Sequence, residues 1–183
     1  MQGTLNQIDQ DILEFTNKIR ANPKEMIPHL EKILATFEGD VMYIDGQIGI
    51  QTNEGPAAVQ EAIEFAKTAA PVGTLTWNDQ LARCSQDHVE DIGPKGLTQH
   101  ESSKGEGLMA KVSKHFQVNG MVGENLSFGQ SSGIDVVLQL VIDDGVASRG
   151  HRNNIFQSKF GKLGCFSGQH SGYETMTCLV YAS

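Results

Sequence analysis

Apolar residues recur every three or four positions in several stretches of the chain, and this spacing predicts amphipathic helices. The first helix is predicted from about Asn6 to Ala21. A second begins at Asn22-Pro23, a capping residue followed by proline, and is predicted to include Phe37 and to end at Gly39. Gly55-Pro56 opens a third helix. The first part of the chain is therefore predicted to be mainly helical.

Three further helices are predicted in the second part of the chain. Asn78 is placed to cap a helix that Gly93-Pro94 ends, a short helix surrounds Leu108 to Phe116, and the apolar run from Gly133 to Ile142 forms the last one. Between positions 93 and 120 the chain is rich in Gly, Ser and Lys, so loops are expected beside the short helix.

Two pairs of β-like runs stand apart from the helices. Val41 to Ile44 and Gln47 to Gln51 flank Asp45-Gly46, which predicts a small hairpin with a tight turn. Leu163 to Gly168 and Tyr173 to Ala182 predict a second hairpin near the end of the chain. Helices first and an antiparallel sheet late indicate an α+β layered domain.

Composition narrows the function classes. The chain has 183 residues and a formal net charge of −8, with no cluster of Lys and Arg, which argues against nucleic acid and anionic membranes as partners. No apolar run reaches the roughly 20 residues needed to span a bilayer. The N-terminus lacks the basic start and apolar segment of a signal peptide, so an intracellular, cytoplasmic location is expected, or secretion if a leader was removed.

The chain has three cysteines, Cys84, Cys165 and Cys178. An odd, small number in a chain of this length does not form a disulfide framework. Cys165 and Cys178 fall on neighbouring predicted strands, where they are able to face each other. Two buried thiols are the favoured interpretation, and a disulfide between them is the alternative.

The most informative polar residues fall in short segments. Gly123-Glu124-Asn125-Leu126 is followed by Arg149-Gly150-His151-Arg152-Asn153-Asn154-Ile155, and the apolar helix between them ends in Asp143-Asp144. Another histidine, His100, lies upstream in a polar loop. Taken singly, each of these residues is a solvated surface group or a structural histidine. Brought together, two histidines and two acids would form a shared polar cleft.

Such a cleft is a candidate metal site, because imidazole nitrogens and carboxylate oxygens are ligands of Zn²⁺. The candidate ligands are His100, Glu124, Asp143 and His151, with Asp144 as the alternative to Asp143. The spacing differs from the HExxH pattern of zinc proteases. No metal is required by the pattern, and zinc or another divalent ion remains a hypothesis.

The evidence for a catalytic nucleophile is weak. Gly129 to Gly133 satisfies the G-x-S-x-G pattern of α/β-hydrolases, and Ser131, Asp143 and His151 follow in the matching order. The pattern requires a repeating βαβ sheet, which this chain lacks, so a loop that caps the next helix is favoured. Cys84 lies in the middle of a predicted helix among apolar residues. The sequence thus predicts no positioned nucleophile.

At these residues the chain resembles the CAP superfamily of cysteine-rich secretory, antigen 5 and pathogenesis-related proteins, also called SCP-like. Gly123 to Leu126 is similar to the family's G-E-N-[IL] motif, and Gly150 to Ile155 to its G-H-R-x-N-I motif. Leu75-Thr76-Trp77-Asn78 with Leu81-Ala82 resembles the start L-x-W-x-x-x-L-A. Gly161 to Tyr181 resembles the closing strands. The resemblance covers about Asp9 to Ala182.

The resemblance implies a three-layer αβα sandwich with a central antiparallel sheet, formed by one domain over residues 1–183. In that domain the N-terminal helices and small hairpin (about 1–72) pack on a core (about 73–183). It also implies a cleft tetrad of His100, Glu124, Asp143 and His151. Where the family has Trp-x-x-Glu, this chain has Leu140 and Asp143, a shorter acid. The family's disulfides are missing, which suits an intracellular member.

The residues and the resemblance together leave three functions, in this order. The first is a non-catalytic module that binds a lipid, a sterol or a protein partner through its cleft or groove. The second is a structural subunit of a larger intracellular assembly. The third is a metal-dependent hydrolase with Glu124 as the base. Because no nucleophile is positioned, the sequence leans away from an enzyme.

Overall fold

The computed structural model describes residues 6–44 and 48–183. In this part of the chain the α-helices are α1 (Gln7–Ala21), α2 (Ile27–Leu34), α3 (Pro56–Thr68), α4 (Asp79–Ile92), α5 (Leu108–Ser113), α6 (Gly133–Ile142) and α7 (Gly150–Ile155). The strands are β1 (Phe37–Glu38), β2 (Val41–Ile44), β3 (Ile48–Gln51), β4 (Thr76–Trp77), β5 (Val122–Phe128), β6 (Lys162–His170) and β7 (Glu174–Ala182). Two 3₁₀ turns, Pro23–Met26 and Gly93–Lys95, adjoin α2 and α4.

The predicted helix starts are confirmed where a polar cap precedes the apolar run. The Asn6 side chain accepts a hydrogen bond from the backbone N–H of Asp9, and Asn78 does the same for Leu81. Ser132 caps α6, whose bounds match the apolar run. These caps satisfy N–H groups that a helix start otherwise leaves without partners.

The second predicted helix is wrong at its end. It stops at Leu34, and Phe37 lies instead in β1, paired with Met42 of β2. Phe37 is half-buried and packs against the core, so the pattern found a core-facing position but assigned it the wrong backbone. Pairing with β2 supplies backbone hydrogen bonds that replace those of another helical turn. The predicted tight turn at Asp45-Gly46 lies outside the described residues.

The larger sheet has the strand order β4-β6-β7-β5. β6 pairs antiparallel with β7, as predicted from the late hairpin, and β7 also pairs antiparallel with β5. The short strand β4 departs from the expectation of an antiparallel sheet, because it pairs parallel with β6. The sheet is therefore antiparallel except at one edge.

Helices cover both faces of this sheet and form the expected three-layer sandwich. On one face, α4 packs on β6 and β7, and its apolar side chains join those of α5 in one cluster. On the other face, α1, α3, α6 and α7 form a larger cluster with the sheet. This larger cluster contains residues from both the N-terminal part and the rest of the chain.

The cysteines show how the sheet separates these clusters. All three are buried free thiols. Cys165 belongs to the cluster on the α1 side, and Cys178 belongs to the cluster on the α4 side. Cys165 pairs across the ladder with Leu179, so the neighbouring Cys178 points to the opposite face. The expectation that the two thiols are able to face each other is therefore wrong, and buried thiols are confirmed.

Arg20 connects α1 to distant segments of the chain. Its fully buried guanidinium donates to the backbone oxygen atoms of Gly73, Ile155, Gln157 and Phe160. Within the described residues no carboxylate pairs with it, so carbonyl dipoles alone solvate this charge. Burial lowers the pKa of Arg20. The contacts fix α1 to the segment that follows α7.

Candidate functional site

The tetrad expected from the sequence forms two carboxylate–histidine pairs. His100, in the loop between α4 and α5, contacts Glu124 of β5, with 2.8 Å between Nδ1 and Oε1. His151, in the first turn of α7, contacts Asp143 at the end of α6, with 2.6 Å between Nδ1 and Oδ1. Both carboxylates are buried, whereas the side chains of His100 and His151 are 55% and 24% exposed.

Glu124 also binds a buried lysine. Lys111 of α5 places its Nζ 2.7 Å from Oε2 of Glu124 and 2.6 Å from the backbone oxygen of His100. Although burial by itself raises it, the hydrogen bond from His100 and the charge of Lys111 hold the pKa of Glu124 below its ordinary value. The hydrogen bond to Glu124 raises the pKa of His100. Both oxygens of Glu124 are thus occupied.

Asp143 is held by the start of the next helix. It has a left-handed backbone, with φ of 58°, and its Oδ2 accepts from the backbone N–H groups of His151 and Arg152. A carboxylate is unfavourable at the C-terminus of α6, but the N-terminus of α7 attracts it. The start of α7 therefore explains why an acid occupies the end of α6.

Asp144 is directed away from the histidines. Its carboxylate accepts from the backbone N–H groups of Asn53 and Glu54, at 2.7 and 2.8 Å. Asp143, rather than Asp144, is therefore the acid that contacts His151. The contacts of Asp144 join the segment before α3 to the loop between α6 and α7.

An asparagine pair links the two histidine pairs. The Asn154 side chain donates to the Glu124 backbone oxygen at 3.3 Å and to Asn125 Oδ1 at 2.8 Å. Asn125 in turn donates to the backbone oxygen of His151 at 3.0 Å. The two sequence motifs consequently meet in one hydrogen-bonded network, which fixes β5 against α7.

The donor atoms available for a metal are imidazole nitrogens. Among residues 6–44 and 48–183, no group of three or more His, Cys, Asp and Glu side chains is arranged to hold one metal ion. One carboxylate oxygen of Glu124 and one of Asp143 already contact the Nδ1 atoms of the histidines. Carboxylates often orient metal-bound histidines in this way from outside the first coordination shell. Zn²⁺ binding by His100 and His151 through Nε2 stays a prediction.

The structure separates the residues of the G-x-S-x-G alternative. Ser131 precedes α6, while Asp143 follows it, and ten helical residues span about 15 Å. Ser131 and Asp143 therefore lie at opposite ends of α6. Ser131 makes no hydrogen bond to His151 within the described residues. Burial raises the pKa of Cys84 to about 11, and burial also raises those of Cys165 and Cys178.

Sequence reasoning missed Lys111. This residue lies three positions after Leu108, so the two share one face of the predicted short helix. A lysine on an apolar helix face calls for a buried acid, and Glu124 is that acid. The position of Lys111 on this helix face could be read from the sequence, but identification of Glu124 as its partner requires the fold.

The comparisons with known proteins agree with this fold. The CAP family, described as the cysteine-rich secretory protein family, matches residues 13–181, so the chain belongs to this family. A search of curated proteins found no match. In the part of the chain that the structure describes, no helix has the length and apolar character needed to cross a membrane.

Several solved structures are similar. An outer surface protein of Borrelia burgdorferi aligns with a TM-score of 0.53 and 15% identity, over 68% of this chain and 87% of that one. An extracellular SCP-domain protein of Bacillus anthracis gives 0.51 and 19%, over 68% and 38%. NaASP2, solved with Zn²⁺, gives 0.50 and 14%, over 98% and 81%. At these identities the likeness shows the fold.

Proposed function

We propose that this CAP domain is a non-catalytic binding module whose face around His100 and His151 contacts a protein partner. The observation that carries the proposal is the pairing of each partly exposed histidine with a buried carboxylate. Each Nδ1 is directed inward, so the Nε2 edge is left for a ligand. Side chains that are already fixed lose little conformational entropy when a partner binds.

The same contacts disfavour hydrolysis. A general base needs a pKa near the working pH and a lone pair free to take a proton. Glu124 has a lowered pKa, and its oxygens face His100 and Lys111. The thiols are buried, and Ser131 lies at the far end of α6. A polar site with fixed groups and no reactive one suits recognition better than catalysis.

The test compares the double variant His100→Ala/His151→Ala with His29→Ala, a histidine variant on α2. Each tagged full-length protein is expressed in its native cells, and the proteins bound to it are quantified by mass spectrometry. We expect one or more proteins bound by the wild type and by His29→Ala to fall at least tenfold in the double variant. Equal recovery from all three would contradict the proposal.

Two other binding modes are outcomes of the same experiment. A lipid or sterol is the ligand, in place of a protein, if two results occur together. The lipid or sterol is recovered instead of a protein, and the domain binds phosphatidylcholine vesicles that contain cholesterol. Constant recovery of stoichiometric partners despite the double substitution would favour a structural subunit of a larger assembly. Gel filtration of the native extract distinguishes that case, because an assembly subunit elutes well above the monomer mass.

A second candidate function is divalent-metal binding at the same face. The free Nε2 atoms of His100 and His151, each with a carboxylate behind Nδ1, support it. A bound Zn²⁺ would act there as a Lewis acid that polarises a ligand oxygen. Calorimetric titration of the metal-free protein with Zn²⁺ tests this candidate. The candidate is supported if the protein binds one ion and both His100→Ala and His151→Ala weaken that binding. It is excluded if each single variant binds Zn²⁺ as tightly as the wild type.

A further inference from the structure

The loop between α6 and α7, residues 143–149, has an unusual backbone at both ends. Asp143 begins it with φ of 58° and Arg149 ends it with φ of 51°, two of the three non-glycine residues with a positive φ in the described part of the chain. Aspartate tolerates this left-handed conformation better than arginine does, so Arg149 in particular needs contacts that hold it there. His151 follows two positions later and contacts Asp143, so the loop conformation sets where this pair lies.

The guanidinium of Arg149 connects the two ends of this loop. Its Nη1 donates to the backbone oxygen of Asp143 at 2.8 Å and to that of Val146 at 3.2 Å. The side chain is only 13% exposed, so water competes little for these donors. A single side chain therefore binds the residue at the opposite end of its own loop.

Two carboxylates orient this guanidinium. Glu54, which precedes α3, accepts from Nη1 at 2.6 Å and from Nη2 at 2.7 Å, and Glu61 of α3 accepts from Nε at 2.9 Å. The planar guanidinium presents its donors in a fixed geometry that suits such paired acceptors. Hydrogen bonds from Arg149 lower the pKa of Glu54 to about 2 and lower that of Glu61, so both acids are charged at neutral pH. Glu54 also accepts from the backbone N–H of Gly145, inside the loop.

Arg152 packs α7 on its neighbours without the help of Arg149. Its Nη1 lies 2.9 Å from Oε1 of Glu61, its Nε donates to the backbone oxygen of Val141, and its guanidinium lies 5.3 Å from the centre of the Phe65 ring. These contacts join α7 to α3 and to the end of α6. The bonds of Arg149 to Asp143 and Val146 are instead made within the loop.

We propose that Arg149 is a positioning residue for the Asp143–His151 pair, because its guanidinium, oriented by Glu54 and Glu61, locks the loop in the conformation that places His151. Arg149 acts through the backbone at Asp143. The proposal rests on the function proposed above only for the use of His151 in binding. The locking itself is a property of the free protein and is measured without a partner.

The test records ¹⁵N spectra of the histidine rings in the full-length protein at pH 8.5. A carboxylate only accepts, so Asp143 selects the form of the neutral His151 ring that carries its proton on Nδ1. We expect Arg149→Met to raise the share of the Nε2–H form of His151 roughly threefold or more, because a displaced Asp143 no longer selects the tautomer. His170 is the reference in the same spectra. Its Nδ1 accepts from two backbone N–H groups of the turn between β6 and β7, and its signals should stay in place.

These spectra separate positioning from stabilisation. A variant that is merely less stable keeps the native ring signals until it unfolds, whereas a displaced loop changes the signals of His151 in the folded protein. Urea unfolding of each variant shows that the spectra are those of folded protein. Because no partner is present, failure of the partner experiment above would leave the result unaffected.

Two further variants complete the comparison. Glu54→Gln weakens the hold on the guanidinium and should shift the His151 signals in the same direction by a smaller amount. Arg83→Met removes an exposed arginine of α4 and should leave them unchanged. Wild-type signals of His151 in folded Arg149→Met would overturn the proposal, and so would equal changes at His151 and His170. Should Arg149→Met not fold, Glu54→Gln decides by the same two criteria.

Discussion

Lys111 and Glu124 form a buried ion pair, 2.7 Å between Nζ and Oε2, with side chains 6% and 2% exposed. The pair joins α5 to β5 directly beneath His100. Each charge depends on the other, because removal of one leaves the other without compensation in a poorly solvated place. The ion pair thus fixes one half of the histidine-bearing face.

Substitution of Lys111 by Met should destabilise the domain by about 3–5 kcal/mol, since the Glu124 charge loses its buried partner. The free energy of unfolding in urea measures the loss. Lys114→Met, three residues further along the chain, is the matched control. The exposed ion pair of Lys114 with Glu106 contributes only about 0–1 kcal/mol to stability. Equal losses in the two variants would show that Lys111 is not a special position.

Replacement of Arg20 by Lys should cost about 3 kcal/mol or more, although the charge is kept. The guanidinium serves four backbone oxygens at once, and an ammonium cannot reach them in the same geometry. Urea unfolding again gives the value. Arg83→Lys on the exposed side of α4 should change stability by less than about 0.5 kcal/mol. A small effect at Arg20 would mean that water replaces the lost donors.

The stability of Asp9→Asn should depend on pH. Burial raises the pKa of Asp9 to about 6, although hydrogen bonds from Ser167 and Asn6 act against the rise. A raised folded-state pKa gives a contribution that is present below the unfolded pKa of about 3.9 and is lost as pH rises through 6. The variant should therefore exceed the wild type by about 3 kcal/mol at pH 7.5 and match it near pH 4. Thermal unfolding at both pH values provides the measurement, and a constant difference would argue against it.

The contact of His100 with Glu124 should stabilise the domain most in mildly acidic solution. The folded-state pKa of His100 is raised, so its contribution is complete below the unfolded pKa of about 6.5 and disappears as pH rises through the higher folded value. The stability lost in His100→Gln should accordingly be larger at pH 5.5 than at pH 8.5. The burial of neutral His88 affects the stability of the wild type and of His100→Gln alike, so it cancels in the difference between their stabilities. A loss that grows with pH would show that the ion pair is not the relevant contact.

The sequence predicted the elements whose signals are local. α1, α4 and α6 begin at side-chain caps and follow an apolar period, and all three have the expected bounds within one or two residues. Phe37 shows the limit of this reasoning. Its spacing continued a helix, but pairing with β2 decided its backbone. Parallel pairing of β4 with β6 is likewise a contact between distant segments, which periodicity does not report.

The candidate site was predictable in its members but not in its arrangement. The motifs identified His100, Glu124, Asp143 and His151, and the structure pairs them two by two. The choice of Asp143 over Asp144 follows from the left-handed residue at the end of α6 and from the N-terminus of α7, neither of which has a sequence pattern of its own. Whether these residues bind a metal stays a prediction.

The bonds of Arg20 have a consequence for dissecting the chain. Three of their four acceptors lie from Ile155, the last residue of the helix that carries His151, to Phe160, whereas the arginine belongs to the first helix. A fragment that begins after Ala21 would contain every tetrad residue and still lack the group that holds this segment. The shortest piece able to present His151 correctly therefore includes α1, and a separately supplied α1 peptide should restore a fragment that lacks it.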